Sequence, residues 1–142
     1  MGRILGIDYG TRRMGVAISD ALGMLSTPVC VEDVRSKEEA VAAAIRIAKE
    51  RGAEKFVVGV PINMNGQNGP MALEALDFIE KLKVASGLPV EMTDERFSTG
   101  LVERMLLEAD VSREKRKGVR DKLAAQVILQ GYLDAHSEPE EY

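Results

Sequence analysis

Ile4-Leu5-Gly6-Ile7-Asp8-Tyr9-Gly10-Thr11-Arg12-Arg13-Met14-Gly15-Val16-Ala17-Ile18-Ser19-Asp20 is the stretch from which the fold is read. The β-rich run up to Tyr9 breaks at Gly10-Thr11-Arg12-Arg13, and Met14 to Ser19 then alternates towards Asp20. A second break at Ala21-Leu22-Gly23 precedes a third run, Leu25 to Val31. Runs so closely spaced predict an antiparallel meander of three strands.

Beyond the meander, helix and strand alternate. Ser36-Lys37-Glu38-Glu39 has the form of a capping box, a hydroxyl with a carboxylate three residues on. The helix it opens carries Val41, Ala44, Ile45 and Ala48 on one face and closes at Gly52. Lys55 to Val60 is nearly all apolar, as a strand buried on both faces requires. Pro61 to Gly69 reads as a loop, and Pro70 suits the first turn of a helix with Ala72, Ala75, Leu76, Ile79 and Leu82 inward, ending near Gly87. Leu88 to Thr93 is a short strand. Ser98 or Thr99 caps a third helix bearing Val102, Met105, Leu106 and Ala109, and a basic loop leads to a last helix, Val119 to Ala135. Three antiparallel strands followed by βαβ crossovers predict an α/β protein, a mixed five-stranded sheet with helices on both faces. That is the layout of RNase H-like folds. Residues 1–136 make a single domain on this reading, and 137–142 an acidic flexible tail.

Composition narrows the chemistry. Of the 142 residues 45% are apolar and 30% charged, which suits one folded domain. No apolar run reaches the roughly 20 residues of a membrane span, and the start turns polar too soon for a signal peptide, so a cytoplasmic protein is expected. Cys30 is the only cysteine and His136 the only histidine, which excludes an internal disulfide and a Cys- or His-built metal site. The net charge of −4 argues against a surface that grips nucleic acid all over. It is unevenly spread: Ser112 to Lys122 is net +4, leaving −8 for the remainder.

Three acidic positions stand where chemistry could be done. Asp8 closes the first strand. It either caps its own turn or meets a cation, since a lone carboxylate at a buried strand end is costly. Asp94-Glu95-Arg96 follows another strand, where open α/β sheets collect ligands, or else is an acidic approach to a helix dipole. Asp121 shares a helix face with Ala124, Ala125, Ile128 and Tyr132, which directs it inward. Carboxylates so gathered repel unless cations lie between them, and oxygen-only ligands select Mg²⁺ or Mn²⁺. Two such ions suit in-line displacement at phosphorus, with water as the nucleophile.

Candidate substrate contacts surround these acids. Arg12 and Arg13 lie on the turn beyond Asp8, and Asn63 and Gly66 belong to a polar loop whose amides can approach phosphate. Arg96, Ser98 and Thr99 follow Glu95. Arg113, Arg116, Lys117 and Arg120 form a basic stretch leading into Asp121, fit to deliver a nucleic-acid backbone.

At these residues the chain resembles a known family. Asp8 to Asp20 is similar to the first motif of the YqgF/RuvX-type nucleases, described as Holliday junction resolvases or pre-16S rRNA nucleases. Val58-Gly59-Val60-Pro61-Ile62-Asn63-Met64-Asn65-Gly66 resembles their second motif and Asp94-Glu95-Arg96-Phe97-Ser98-Thr99 their third. Asp121-Lys122-Leu123-Ala124-Ala125, with Ile128-Leu129-Gln130, resembles their last. The resemblance covers nearly the whole chain in order. It implies an RNase H-like fold, Asp8, Glu95 and Asp121 as catalytic and metal-binding carboxylates, and cytoplasmic processing of the 5′ end of 16S rRNA. In RuvC-type resolvases a second acid sits on the strand corresponding to Phe56 to Val60, which has none here, so Glu95 must serve from the next strand. Resolution of four-way DNA junctions is the alternative activity. A non-catalytic module that binds RNA, a ribosomal precursor particle or a transcription complex is a third reading, and an ATP-binding domain a fourth that 142 residues fit poorly. Monomer and homodimer both remain open.

Overall fold

The structure is a computed structural model that describes residues 2–61, 69–94 and 113–136, and the side chains of all of these except 113–122. Its elements are β1 (Arg3–Tyr9), β2 (Arg13–Ser19), β3 (Ser26–Asp33), α1 (Lys37–Arg51), β4 (Ala53–Val60), α2 (Pro70–Ser86), β5 (Val90–Asp94) and α3 (Arg113–His136). The strands form one sheet in the order β3-β2-β1-β4-β5. β1 is central, antiparallel to β2 and parallel to β4. β3 joins β2 antiparallel and β5 joins β4 parallel, so the expected mixed five-stranded sheet is present.

Strand alternation sends residues to two cores. Leu5, Ile7 and Tyr9 face α1 and α2, together with Phe56, Val58 and Val60. Ala17 and Val57 face the other way, onto Ala125, Ile128, Leu129, Tyr132 and Leu133 of α3. Phe56 to Val60 are buried throughout, as a strand covered on both faces should be. Helices therefore cover both faces, as the sequence predicts.

The helix ends follow their sequence signals. The Ser36 hydroxyl accepts the Glu39 N–H at 3.1 Å, opening α1, and Gly52 closes it with a φ of +69°. Gly87, also at φ +69°, closes α2. Among inward positions, Ile47 and Phe78 are buried, while Ile45 and Leu76 are only partly so. β3 runs on to Asp33 and starts at Ser26, leaving Leu25 in the turn.

The reading of the basic stretch is overturned. The basic stretch is not a loop before the last helix: α3 already spans Arg113. Arg, Lys and Glu are strong helix formers, and the single Gly118 costs only about 1 kcal/mol. The loop residues 62–68, the third helix expected after Ser98 or Thr99, and the tail 137–142 lie outside the described residues.

Candidate active site

β1, β4 and β5 run parallel, so Asp8, Val60 and Asp94 stand at the same end of the sheet. Asp8 is the penultimate residue of β1 and half-buried. Two residues earlier Gly6 lies beneath α3, where an added β-carbon would meet the Leu129 Cβ at 2.6 Å. Alternation puts Asp8 on that same face. Its register partners are Gly15 on β2 and Gly59 on β4, so neither lateral neighbour carries a side chain. The carboxylate thus sits on a cleared patch of the α3-covered face. The motif spacing contains both glycines, but only strand register reveals that they flank Asp8.

The strand end is held from its other side. Tyr9 stacks on Phe78 of α2, with ring centroids 4.4 Å apart and planes 15° from parallel. Burial pushes the Tyr9 hydroxyl above its usual pKa, against the opposing pull of Lys37. The turn that follows requires its glycine, since a β-carbon at Gly10 would lie 2.6 Å from the Arg13 carbonyl oxygen. Arg12 is exposed on this turn, and its carbonyl accepts the Val34 N–H at 2.9 Å. Arg13 begins β2, half-buried, and shares the Asp8 face with Gly15 by alternation.

The acidic pair after β5 is separated by register. Asp94 pairs with Val60, which packs towards α1 and α2, so Asp94 stands on the face opposite Asp8. Thr93 pairs with Gly59 and shares the Asp8 face. Glu95, Arg96, Ser98, Thr99, Asn63 and Gly66 lie outside the described residues.

α3 runs against β1. Tyr132 meets Lys55 and Glu91 near the start of the parallel strands, and Leu129 lies over Gly6 further along. Its earlier turns, which carry Arg113, Arg116, Lys117, Arg120 and Asp121, therefore lead towards the Asp8 end. The side chains of these five residues are outside the description. Among the described residues no group of three or more His, Cys, Asp or Glu is arranged to hold a metal ion. Asp8 itself suits a hard cation, being an oxygen donor at a strand end with glycine on either side.

A second polar cluster, not foreseen from the sequence, anchors the far end of α3. The Tyr132 hydroxyl donates to a Glu91 carboxylate oxygen and accepts from Lys55 Nζ at 2.5 Å. Lys55 and Glu91 also pair directly at 3.1 Å, and the His136 ring stacks on Tyr132 at 4.0 Å. The hydrogen bond from Tyr132 holds the Glu91 carboxyl below the ordinary range, with Lys55 assisting and burial opposing.

A family model described as "RuvX: Holliday junction resolvase" matches residues 2–135. A protein of Endomicrobium trichonymphae, named "Putative pre-16S rRNA nuclease", is 49% identical over 140 residues, covering 97% of this chain and 99% of its own. One of the same name from Symbiobacterium thermophilum is 52% identical over 135 residues, covering 95% and 94%. Among solved structures, Thermus thermophilus RuvC in complex with a Holliday junction substrate aligns with a TM-score of 0.55 at 17% identity, covering 96% of this chain and 97% of that one. The fowlpox virus Holliday junction resolvase aligns with a TM-score of 0.55 at 13% identity, covering 94% and 99%. These last two likenesses establish the fold, the RNase H-like architecture of RuvC-type resolvases. Among the described residues no helix is long and apolar enough to cross a membrane.

Proposed function

Because the chain belongs to the RuvX family of Holliday junction resolvases, we propose that it is a metal-dependent nuclease that hydrolyses phosphodiester bonds. Its proposed task is cytoplasmic processing of the 5′ end of pre-16S rRNA, the substrate named in its curated relatives. The observation that carries this reading is Asp8, a carboxylate at the end of the central strand with glycine on both sides.

Asp8, Glu95 and Asp121 are the residues proposed to hold Mg²⁺ or Mn²⁺. Register argues against Asp94, which stands on the face opposite Asp8, while Glu91 and Thr93 share the Asp8 face; Glu95 is proposed as the next acid in the sequence. The course of α3 supports Asp121, one turn before the buried Ala125. Held by these carboxylates, a divalent cation would supply Lewis-acid stabilisation of charge on the phosphate oxygens and would lower the pKa of the attacking water.

The chain's own residues bind and orient the substrate. Arg12 and Arg13 are proposed to pair with phosphates beside the scissile bond. Arg113, Arg116, Lys117 and Arg120 attract the backbone along α3, and Arg96, Ser98, Thr99, Asn63 and Gly66 complete the contacts. The single domain, residues 1–136, is proposed to act without help from the tail.

Junction resolution is the second reading, favoured by the family's description and by the fold shared with RuvC. The two separate on substrate. Cleavage of a 16S precursor fragment at its 5′ side supports RNA processing, whereas paired symmetrical cuts in a synthetic four-way junction, with RNA untouched, replace it by resolution. Folded protein that binds RNA yet cuts neither would leave only a binding module.

A further inference from the structure

Asp8 belongs to a row that crosses the three parallel strands. It pairs in register with Gly59 of β4, and Gly59 pairs with Thr93 of β5. Register partners share a face, so the Thr93 side chain stands on the Asp8 side of the sheet. The hydrogen bond from Tyr132 of α3 to Glu91, two residues earlier on β5, fixes the same face. Two strand spacings, about 10 Å, separate the Asp8 and Thr93 backbones. Gly59 raises no side chain between them.

The neighbouring row, Gly6–Val57–Glu91, is already satisfied by protein. Leu129 covers its glycine, Val57 is buried, and Tyr132 and Lys55 hold Glu91. Thr93 differs. It is half-buried, and among the described residues its hydroxyl has no hydrogen-bond partner. A hydroxyl that has lost part of its hydration gains from finding one. β5 is an edge strand, so no described strand lies beyond Thr93 to supply it. Met92 and Asp94, its neighbours along β5, pair with Val58 and Val60 and take the opposite face.

The position selects the partner. A phosphate beside Asp8 presents charged acceptor oxygens, which draw stronger hydrogen bonds than neutral ones. A lysine or arginine in place of Thr93 would pair with Asp8 itself. A hydroxyl donates to the phosphate and leaves the carboxylate free for a cation. Branching at Cβ suits the strand, but valine would supply that equally; the contact needs the hydroxyl.

We propose that the Thr93 hydroxyl donates a hydrogen bond to an RNA phosphate seated over Gly59, beside Asp8. The choice of RNA rests on the nuclease reading; the contact itself is measured as binding, without cleavage.

The test uses a short RNA from the 5′ side of the 16S precursor. Its binding is measured in an Asp8→Asn background, which keeps the RNA intact. Thr93→Val keeps the branched shape and removes the hydroxyl, whereas Thr93→Ser keeps the hydroxyl. Added to that background, Thr93→Val is expected to weaken binding about tenfold and Thr93→Ser by less than about twofold, with urea midpoints unchanged. The same RNA with one phosphate at a time replaced by methylphosphonate then locates the contact. At one position the replacement should weaken binding to the Asp8→Asn protein yet cost the Thr93→Val protein nothing further. Binding that Thr93→Val leaves intact, an equal loss in Thr93→Ser, or additive losses at every position overturns the proposal. So does failure of the Asp8→Asn protein to bind the RNA at all. Cleavage of RNA by the wild type with no coupled position would remove the contact and leave the nuclease reading standing. A coupled position in a chain whose wild type cleaves no RNA would sink the nuclease reading and leave the contact.

Discussion

Gly6 of β1 lies so close under Leu129 of α3 that a β-carbon at position 6 would come within 2.6 Å of the Leu129 Cβ. That atom is fixed to the helix backbone and cannot swing aside, so Gly6→Ala must lift α3 from the sheet. Overpacking of this kind costs about 1–3 kcal/mol, measured as a lower urea midpoint. Because α3 also carries Asp121, nuclease activity should fall further than the fraction unfolded explains. Wild-type stability in Gly6→Ala would show that the close approach is not restrictive.

At the other end of α3, the Tyr132 hydroxyl sits between Lys55 and Glu91. Tyr132→Phe keeps the ring and the Lys55–Glu91 ion pair but removes both hydroxyl bonds. A loss of about 1 kcal/mol is expected, seen in chemical denaturation.

Glu91 makes the same cluster pH-dependent. Its carboxyl is held below the ordinary range, first by the Tyr132 hydroxyl and then by Lys55. A depressed folded-state pKa stabilises the fold fully above the unfolded-chain value of about 4.3 and progressively less as the pH falls below it. The stability difference between wild type and Glu91→Gln should therefore be greatest near neutral pH and shrink in acid. A difference that grew as the pH fell would contradict the assignment.

The basic turns of α3 make a prediction about salt. If Arg116 and Lys117 pair with phosphates, changing both to Ala weakens RNA binding irrespective of sequence. The slope of log affinity against log salt should then become shallower by about 0.7–0.9 for each phosphate no longer neutralised. An unchanged slope would remove these residues from the interface.

Much of the fold was legible because its signals are local. The Ser36 cap, Gly52 and Gly87 follow from short-range backbone chemistry, and the alternation from Met14 to Ser19 follows from the two-residue strand period. Phe78 could have been found, being three residues after Ala75 and four before Leu82 on one helix face. The basic stretch misled because dense positive charge reads as a solvated loop, although its residues are good helix formers. The glycines beside Asp8 depend on strand register, and the Lys55–Tyr132–Glu91 cluster joins residues 77 and 41 positions apart in sequence. Leu25 was expected within a strand; the Asp20 carboxylate, by capturing its N–H, keeps it in the turn.

Whether Asp8 is a catalytic carboxylate is decided by a single comparison. Purified protein and its Asp8→Asn variant are incubated with a 16S precursor fragment in Mg²⁺, Mn²⁺ or EDTA, with thermal unfolding recorded in parallel. If Asp8 is catalytic, the wild type cleaves in the presence of metal and not in EDTA, and the variant cleaves in neither while folding normally and still binding RNA. Cleavage by Asp8→Asn at the wild-type rate would contradict it.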